Sequence, residues 1–237
     1  MAPVTILVWN CRGIRNKKEE LAMRIGNYDI AVITETKQPK NAPIYFTGYK
    51  TYRTDNLDSK GGIAMVIHNR LEFDILKCQK DTHESVERLD ITIKNFSEKV
   101  NIVAVYRRPG IRLSKSTWRK IFTNNENTYK TYYVGDFNAH NTIWNCGDTD
   151  RNGENMCEIM CERDLVCYNE DTKSRMGMVD QTSNNLDLIL GPIEDLDNIR
   201  TYQLQDSWDS DYYPIIMDYE ITNYIKKTNR ISSSKTK

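Results

Sequence analysis

Apolar residues in this chain fall in short runs that close on a polar group, and most of these runs are too short for helices. Val4-Thr5-Ile6-Leu7-Val8-Trp9 is rich in β-formers and closes on Asn10. Ile30-Ala31-Val32-Ile33 is wholly apolar and runs straight into Thr34-Glu35-Thr36, while Gly61-Gly62 opens Ile63 to Ile67. Glu87 to Ile93 alternates, with Leu89, Ile91 and Ile93 on one side. Val100 to Val105 is apolar again and leads into Tyr106-Arg107-Arg108-Pro109-Gly110. The polar link around Asn95 between these two makes them an expected antiparallel pair. Thr131-Tyr132-Tyr133-Val134 reads as a strand ending in Gly135, followed by Asp136-Phe137-Asn138-Ala139-His140. Asn185 to Leu190 holds one acid, Asp187. Pro214 to Glu220, after Asp209-Ser210-Asp211-Tyr212-Tyr213, reads as the last strand. Each run has the length and β-branched content of a strand.

Helical signals are fewer. Asn16 is placed to cap a helix with Glu19 at its third position, Leu21, Ala22 and Ile25 forming its buried stripe and Gly26 its end. Ser116 to Phe122 fits a short helix, and Gly153 to Arg163 a longer one begun by Asn152. Pro39 to Lys60 reads as polar and loop-rich. Many strands with few helices between them predict an α/β protein of mainly antiparallel or mixed sheets rather than a doubly wound parallel one.

Composition narrows this picture. The chain has 237 residues, 28% charged and 39% apolar, as in an ordinary globular protein, and nothing marks an internal boundary. One domain over residues 1–221 is expected, with the Lys-, Ser- and Thr-rich residues 222–237 as a flexible tail or linker. Its 33 basic residues balance 33 acidic ones, so binding to nucleic acid requires a local basic face. No run is long and apolar enough to span a membrane, and Met1 to Asn10 lacks the pattern of a signal peptide; an intracellular location is expected. The 6 cysteines form no C-x-x-C pair, and their spacing does not suit zinc. Cys157 and Cys161, one helical turn apart beside Met156, Ile159 and Met160, read as small core residues among reduced, mostly buried thiols. The usual Gly-rich nucleotide cradles and the G-x-S-x-G elbow are absent.

Polar residues at the strand ends carry the candidate chemistry. Asp136 and Asn138, two apart, place their side chains on one sheet edge, although Gly, Asp and Asn also make ordinary turns. Asn10, Glu35, Tyr106, Asp187 and Asp211 also sit at or near ends of predicted strands. Carboxylates gathered at one edge repel one another and call for a cation. A donor set of Asp, Glu and Asn oxygens suits a hard ion such as Mg²⁺, with Mn²⁺ as its substitute. Hydrolysis of a phosphate ester uses such a set, since it needs an activated water and compensation for developing charge.

In order along the chain, Trp9-Asn10 with Arg12-Gly13, Thr34-Glu35-Thr36, Tyr106-Arg107-Arg108-Pro109, Gly135-Asp136-Phe137-Asn138-Ala139-His140, Leu186-Asp187-Leu188 and Ser210-Asp211-Tyr212-Tyr213-Pro214-Ile215 resemble the endonuclease/exonuclease/phosphatase superfamily. Asn138-Ala139-His140 and Thr142-Ile143-Trp144-Asn145-Cys146 make the chain similar, within it, to the endonuclease domain of non-LTR (LINE-type) retrotransposons. The resemblance runs from about Val4 to about Ile221. It implies a four-layer α/β sandwich, two packed mixed β-sheets flanked by helices, and a Mg²⁺-dependent nick in a DNA phosphodiester.

Carried over motif by motif, Glu35 holds the metal with Asn10 and Asp211 near it. Asp136 orients or deprotonates the attacking water, Asn138 positions that water and donates to the phosphate, and Tyr106 donates to a phosphate oxygen. Asp187 orients the residue after Asp211. Arg12, Arg15, Arg107, Arg108, His140 and Trp144 are the groups placed to hold DNA, expected as a duplex. The same resemblance implies a monomer, a reverse transcriptase domain downstream in a longer polyprotein, and the nucleus as its place of action on chromosomal DNA.

One position departs from the family pattern. Ser-Asp-His is expected where the chain has Ser210-Asp211-Tyr212, and none of its histidines, His68, His83 and His140, falls near. In the family that histidine touches the scissile phosphate and, charged, stabilises the transition state. Tyrosine titrates near ~10 in water and is neutral at pH 7. Losing a positioned general acid–base group costs about 10²–10⁴-fold in rate. The alternative is therefore a catalytically silenced relative that binds nucleic acid or a protein partner. A phosphatase acting on a small phosphoester ranks below both, because the Asn-Ala-His signature favours DNA.

Overall fold

The computed structural model describes residues 3–39, 42–54, 61–76, 84–94, 98–123, 129–177 and 182–220, and places two six-stranded sheets face to face. Strands are numbered along the chain. In the first sheet β1 (Val4–Asn10) is central, with β2 (Ile30–Thr34) parallel on one side and β12 (Ile215–Tyr219) antiparallel on the other. Beyond β2 lie β4 (Ile63–His68) and then β3 (Tyr49–Thr54); beyond β12 lies β11 (Ile199–Gln203). The second sheet runs β5 (Phe73–Leu76), β6 (Val86–Ile93), β7 (Val100–Arg107), β8 (Lys130–Asp136), β10 (Asp187–Pro192), β9 (Leu165–Cys167), with β7 and β8 parallel and the other pairs antiparallel.

The period-2 geometry of a strand explains the layering. In β7, Val100, Ile102, Ala104 and Tyr106 enter the core between the sheets, where Ile6, Val8, Ile30, Val32 and Met65 meet them. Val103 and Val105 face the opposite way, into a second core under α2 (Lys115–Ile121) and α3 (Arg151–Glu162). The outer face of the first sheet, with Leu7, Trp9, Ala31 and Ile33, is covered by Leu21 of α1 (Lys18–Arg24) and by Ile14, Phe46 and Trp208 from flanking loops. Strands buried on both faces read as continuous apolar runs, which is why these were legible in the sequence. The expected four-layer sandwich is the observed architecture.

Several local expectations are corrected. The stretch read as loop between Pro39 and Lys60 contains β3, and β5, β9 and β11 were also not anticipated. All four are edge strands. The first helix begins at Lys18, after Lys17 and without a side-chain cap, so Asn16 and Glu19 form no capping box. Ala22 is exposed, and Gly26 does not end the helix, because the chain tightens into a 3₁₀ turn over Ile25–Asn27. In α3 the cap is Asp150, which accepts from the Gly153 N–H at 2.6 Å, so Asn152 already lies inside the helix. Cys11, Cys146 and Cys167 are buried as expected, but Cys157 is half-buried and Cys161 exposed, because Met156, Ile159 and Met160 fill the packed stripe of α3. Cys78, His83, Asn95 and the 222–237 tail lie outside the described residues.

Far from the end where the motifs gather, Asp195 ties the start of β8 to the 3₁₀ turn Ile193–Asn198. It accepts from Lys130 Nζ at 2.7 Å, Tyr132 Oη at 2.5 Å and Asn198 Nδ2 at 3.2 Å. Burial alone raises its carboxyl, but these three donors outweigh that and hold it below its usual range. Asp195→Ala is expected to cost about 2–3 kcal/mol at pH 7, measured by urea unfolding. A lowered folded-state pKa stabilises above the unfolded value, near ~3.9, and that stability is lost as pH falls through the folded value. The difference between wild type and variant is therefore expected to shrink below about pH 4.

Candidate active site

Parallel pairing brings the C-terminal ends of β1 and β2 to one edge, as it does those of β7 and β8, and the antiparallel β10 and β12 begin there. Asn10, Glu35, Tyr106, Asp136, Asp187 and Asp211 are thereby collected from both sheets. Asn10 is the clamp: its Nδ2 donates to Glu35 Oε1 at 3.0 Å and to Asp136 Oδ2 at 2.7 Å. One fully buried amide thus joins carboxylates from opposite sheets. In register, Asp136 lies between Tyr106 on β7 and Asp187 on β10.

The strand read as ending at Gly135 continues through Asp136. Gly135 is needed for a different reason. Its φ is +130°, and a Cβ there would run into the Val105 carbonyl of the adjacent strand. Asp136 Oδ1 accepts from the Asn138 N–H at 2.9 Å, an Asx-type contact that supports Asn138 at φ +46°. Asn138 donates from Nδ2 to the Arg107 carbonyl at 2.8 Å, which fixes its side chain while its other amide hydrogen has no partner among the described residues. Arg107 was expected to face DNA. It is buried instead, donating to the carbonyls of Phe137 at 2.7 Å and Ile111 at 2.5 Å and to that of Asn138. It anchors the Asp136–Asn138 loop.

Glu35 follows β2 in a left-handed conformation, φ +50°. Gly13 N–H donates to its carbonyl at 2.8 Å, and Thr36 N–H donates to the Gly62 carbonyl at 3.2 Å. Gly62 in turn donates its N–H to the buried Glu87 carboxylate at 3.1 Å. Lys37 Nζ lies 2.7 Å from Glu35 Oε2, and Arg12 pairs with Asp211. Burial opposes ionisation of Glu35, but the Asn10 hydrogen bond and the Lys37 ammonium prevail and lower its pKa. Asp136 behaves oppositely. Burial, then the Glu35 charge, push its carboxyl up to about 7 against the Asn10 and Asn138 donors.

Asp187 is raised well above its ordinary value, first by burial and then by the Asp136 charge, which the Asn10 backbone N–H offsets only in part. Neither of its carboxylate oxygens meets a donor at hydrogen-bonding geometry among the described residues. Tyr212, the next residue after Asp211, is only 3% exposed, and its backbone carbonyl accepts from Trp9 Nε1 at 3.1 Å. Burial and the charges of Asp136 and Asp187 hold its hydroxyl protonated, and burial followed by Glu35 and Asp136 does the same for Tyr106.

The expected DNA-facing groups divide. Arg15 is exposed, Arg108 half-buried, and His140 lies at the rim with Nδ1 3.1 Å from Asp148 Oδ1. Arg12 is 44% exposed but engaged by Asp211. Trp144 is fully buried, with its indole N–H donating to the Ala139 carbonyl at 3.0 Å. It packs the 138–144 loop and has no face to offer a base. Two further residues shape the site. Lys37 was signalled only by its spacing of two from Glu35, and Glu87 only by a charge inside an alternating strand.

Residues 100–216 match the family described as endonuclease-reverse transcriptase. Across the fold, the endonuclease domain of TRAS1, a telomere-specific non-LTR retrotransposon, superposes with a TM-score of 0.74 over 93% of this chain and 100% of that one, at 17% identity. The chain has the fold of that endonuclease domain, and its residues 100–216 are similar to the endonuclease-reverse transcriptase family. The AP endonuclease LMAP from Leishmania major shares the fold with a TM-score of 0.70, over 92% of this chain and 88% of that one, at 13% identity. In sequence, this domain is 29% identical over 141 residues to the RNA-directed DNA polymerase from mobile element jockey of Drosophila melanogaster, a match covering 58% of this chain and 15% of that protein. A probable RNA-directed DNA polymerase from transposon BS of the same fly is 25% identical over 155 residues, 63% of this chain and 16% of the relative. The domain spans only about a sixth of these curated relatives.

Nucleases of this fold generally use divalent metals. Among the described residues no three His, Cys, Asp or Glu side chains converge on one point as a metal cage. The donor set nonetheless fits Mg²⁺, which is commonly held by one or two carboxylates with water and substrate phosphate completing its shell. Asp211 Oδ1 is buried without a hydrogen-bond partner among the described residues, and burial, then a neighbouring carboxylate, raises both Asp136 and Asp187.

Proposed function

We propose that this domain is a Mg²⁺-dependent endonuclease that nicks one strand of duplex DNA, ahead of a reverse transcriptase domain in a longer polyprotein. The observation that carries the reading is the Asn10 clamp, which fixes Glu35 and Asp136 against each other across the two sheets. Glu35 and Asp211 would hold the metal, with Asn10 beside them, and the bound ion would compensate charge on the phosphate oxygens. Asp136, whose carboxyl sits near neutrality, holds the attacking water and takes up its proton. Asn138 steadies that water with its other amide hydrogen. The protonated Tyr106 hydroxyl, which has no partner among the described residues, donates to a phosphate oxygen.

A second reading, a domain that binds nucleic acid or a protein partner without cutting it, is favoured by one observation. Tyr212 stands where the resemblance expects a histidine, and Asp187 meets no hydrogen-bonding donor among the described residues. Supercoiled plasmid separates the two. The expected result is conversion to open circles in Mg²⁺, stopped by a chelator and restored by added Mg²⁺ or Mn²⁺. Retardation of the plasmid in gels with no open circles formed would reject the nuclease and support the second reading.

A further inference from the structure

The guanidinium of Arg175 lies over the Tyr212 ring, its Cζ 6.0 Å from the centroid. Its backbone is fixed on both sides. Arg175 N–H donates to the Asn184 carbonyl at 2.8 Å and Asn184 N–H returns the bond at 3.1 Å. Tyr213 N–H donates to the Ser174 carbonyl at 2.7 Å, and Met176 N–H to the Asp211 carbonyl at 2.9 Å. Ser174 Oγ also accepts from the backbone N–H groups of Leu186 and Asp187, at 2.9 and 2.8 Å. The 174–176 segment is thus wedged between the residues that lead into β10 and those around Tyr212, at the edge where the acids gather.

Arg175 differs from the other cations nearby. Lys37 is engaged by Glu35 and Arg12 by Asp211. The half-buried Arg175 side chain has no hydrogen-bond or ion-pair partner among the described residues beyond the Tyr212 ring. A ring face attracts the charge but satisfies none of the five N–H donors of a guanidinium. A planar guanidinium fork matches the non-bridging oxygens of a phosphate diester.

We propose that Arg175 is a phosphate-binding cation of this site, donating to a non-bridging oxygen of a nucleic-acid phosphodiester on the Tyr212 side and carrying the positive charge that a tyrosine at 212 lacks. This deepens the nuclease reading and rests on it for the catalytic consequence. The phosphate contact itself is measurable without any cutting.

The test uses Arg175→Ala, Arg175→Gln and Arg175→Lys in the full chain, each first checked by thermal melting against wild type. Gln keeps most of the stem, so it stands in if Ala does not fold. Binding to a fluorescein-labelled duplex in chelator is followed by anisotropy at several salt concentrations. The neutral variants are expected to lose about one unit from the slope of log affinity against log salt, and Lys to keep it. In Mg²⁺ the neutral variants are expected to nick about 10²-fold more slowly, and Tyr212→His added to Arg175→Ala to recover at least tenfold of that loss. A folded neutral variant with wild-type salt slope overturns the proposal, since a residue that only packs on Tyr212 leaves the slope unmoved. If wild type binds DNA but never nicks it, the nuclease reading fails while the slope still decides the role of Arg175.

Discussion

Glu35→Ala is expected to abolish plasmid nicking while leaving the domain folded. The loss should be about 10³-fold, on the order of 4 kcal/mol of transition-state stabilisation, because it removes a carboxylate placed to hold the metal. The fold should survive because the left-handed turn at Glu35 is held by its backbone, through Gly13 and through Thr36 on Gly62, and not by its carboxylate. Removing Glu35 also takes away a charge that helps drive the Asp136 carboxyl up to about 7, so crowding at the edge falls. Asn10 keeps its bond to Asp136 at 2.7 Å. Gel conversion of supercoiled plasmid gives the rate, and a melting curve within about 3 °C of wild type confirms the fold, that span being under ~1 kcal/mol for a domain of this size. A variant that nicks at the wild-type rate would remove Glu35 from the site.

Tyr212→His is expected to move activity in the other direction, raising nicking at least tenfold. Both oxygens of Asp187 are buried without a donor at hydrogen-bonding geometry among the described residues, and Asp187 is among the charges that act on Tyr212. An imidazole at 212 would offer one N–H to Asp187 and leave its other nitrogen for the phosphate. A carboxylate behind the ring favours the charged form, which is the form that stabilises a phosphorane-like transition state. The cost is packing, since Tyr212 belongs to the core beneath α2 and α3 and imidazole is smaller than phenol. A stability loss of about 1–3 kcal/mol is expected beside the gain in rate. The readout is the plasmid rate normalised to folded protein. A flat rate would mean that position 212 does not reach the phosphate or that another part of the site is broken.

These two positions show how unevenly the site could be read. Asp136 and Glu35 were visible because a carboxylate closing an apolar strand is rare without a task. Asn10 was read as a strand-end group near the metal, and its further role, the bond between the sheets, was not legible. Trp144 and Arg107 were misread for one reason. Their neighbours in sequence line the site while their own side chains turn inward, onto the Ala139, Phe137 and Ile111 carbonyls. Direction is not written in a loop sequence as it is in the alternation of a strand. Arg175 drew no notice, since nothing beside it in the chain places it over Tyr212.

Hydrophobic patterning alone was enough to fix the central strands, because β1, β2, β4, β7, β8, β10 and β12 are buried on both faces and must read as apolar runs, while β6 turns its alternating apolar residues to the core between the sheets. It missed β3, β5, β9 and β11, the edges of the two sheets. An edge strand is short, part-exposed and held by hydrogen bonds to a single neighbour, so its own residues carry little apolar pattern even though each pairs with the next strand in the chain. The site divides the same way. The residue types at the strand ends were a property of the sequence. Their assembly was decided by tertiary structure, since two parallel strand pairs from separate sheets must stack before Asn10 can reach both Glu35 and Asp136.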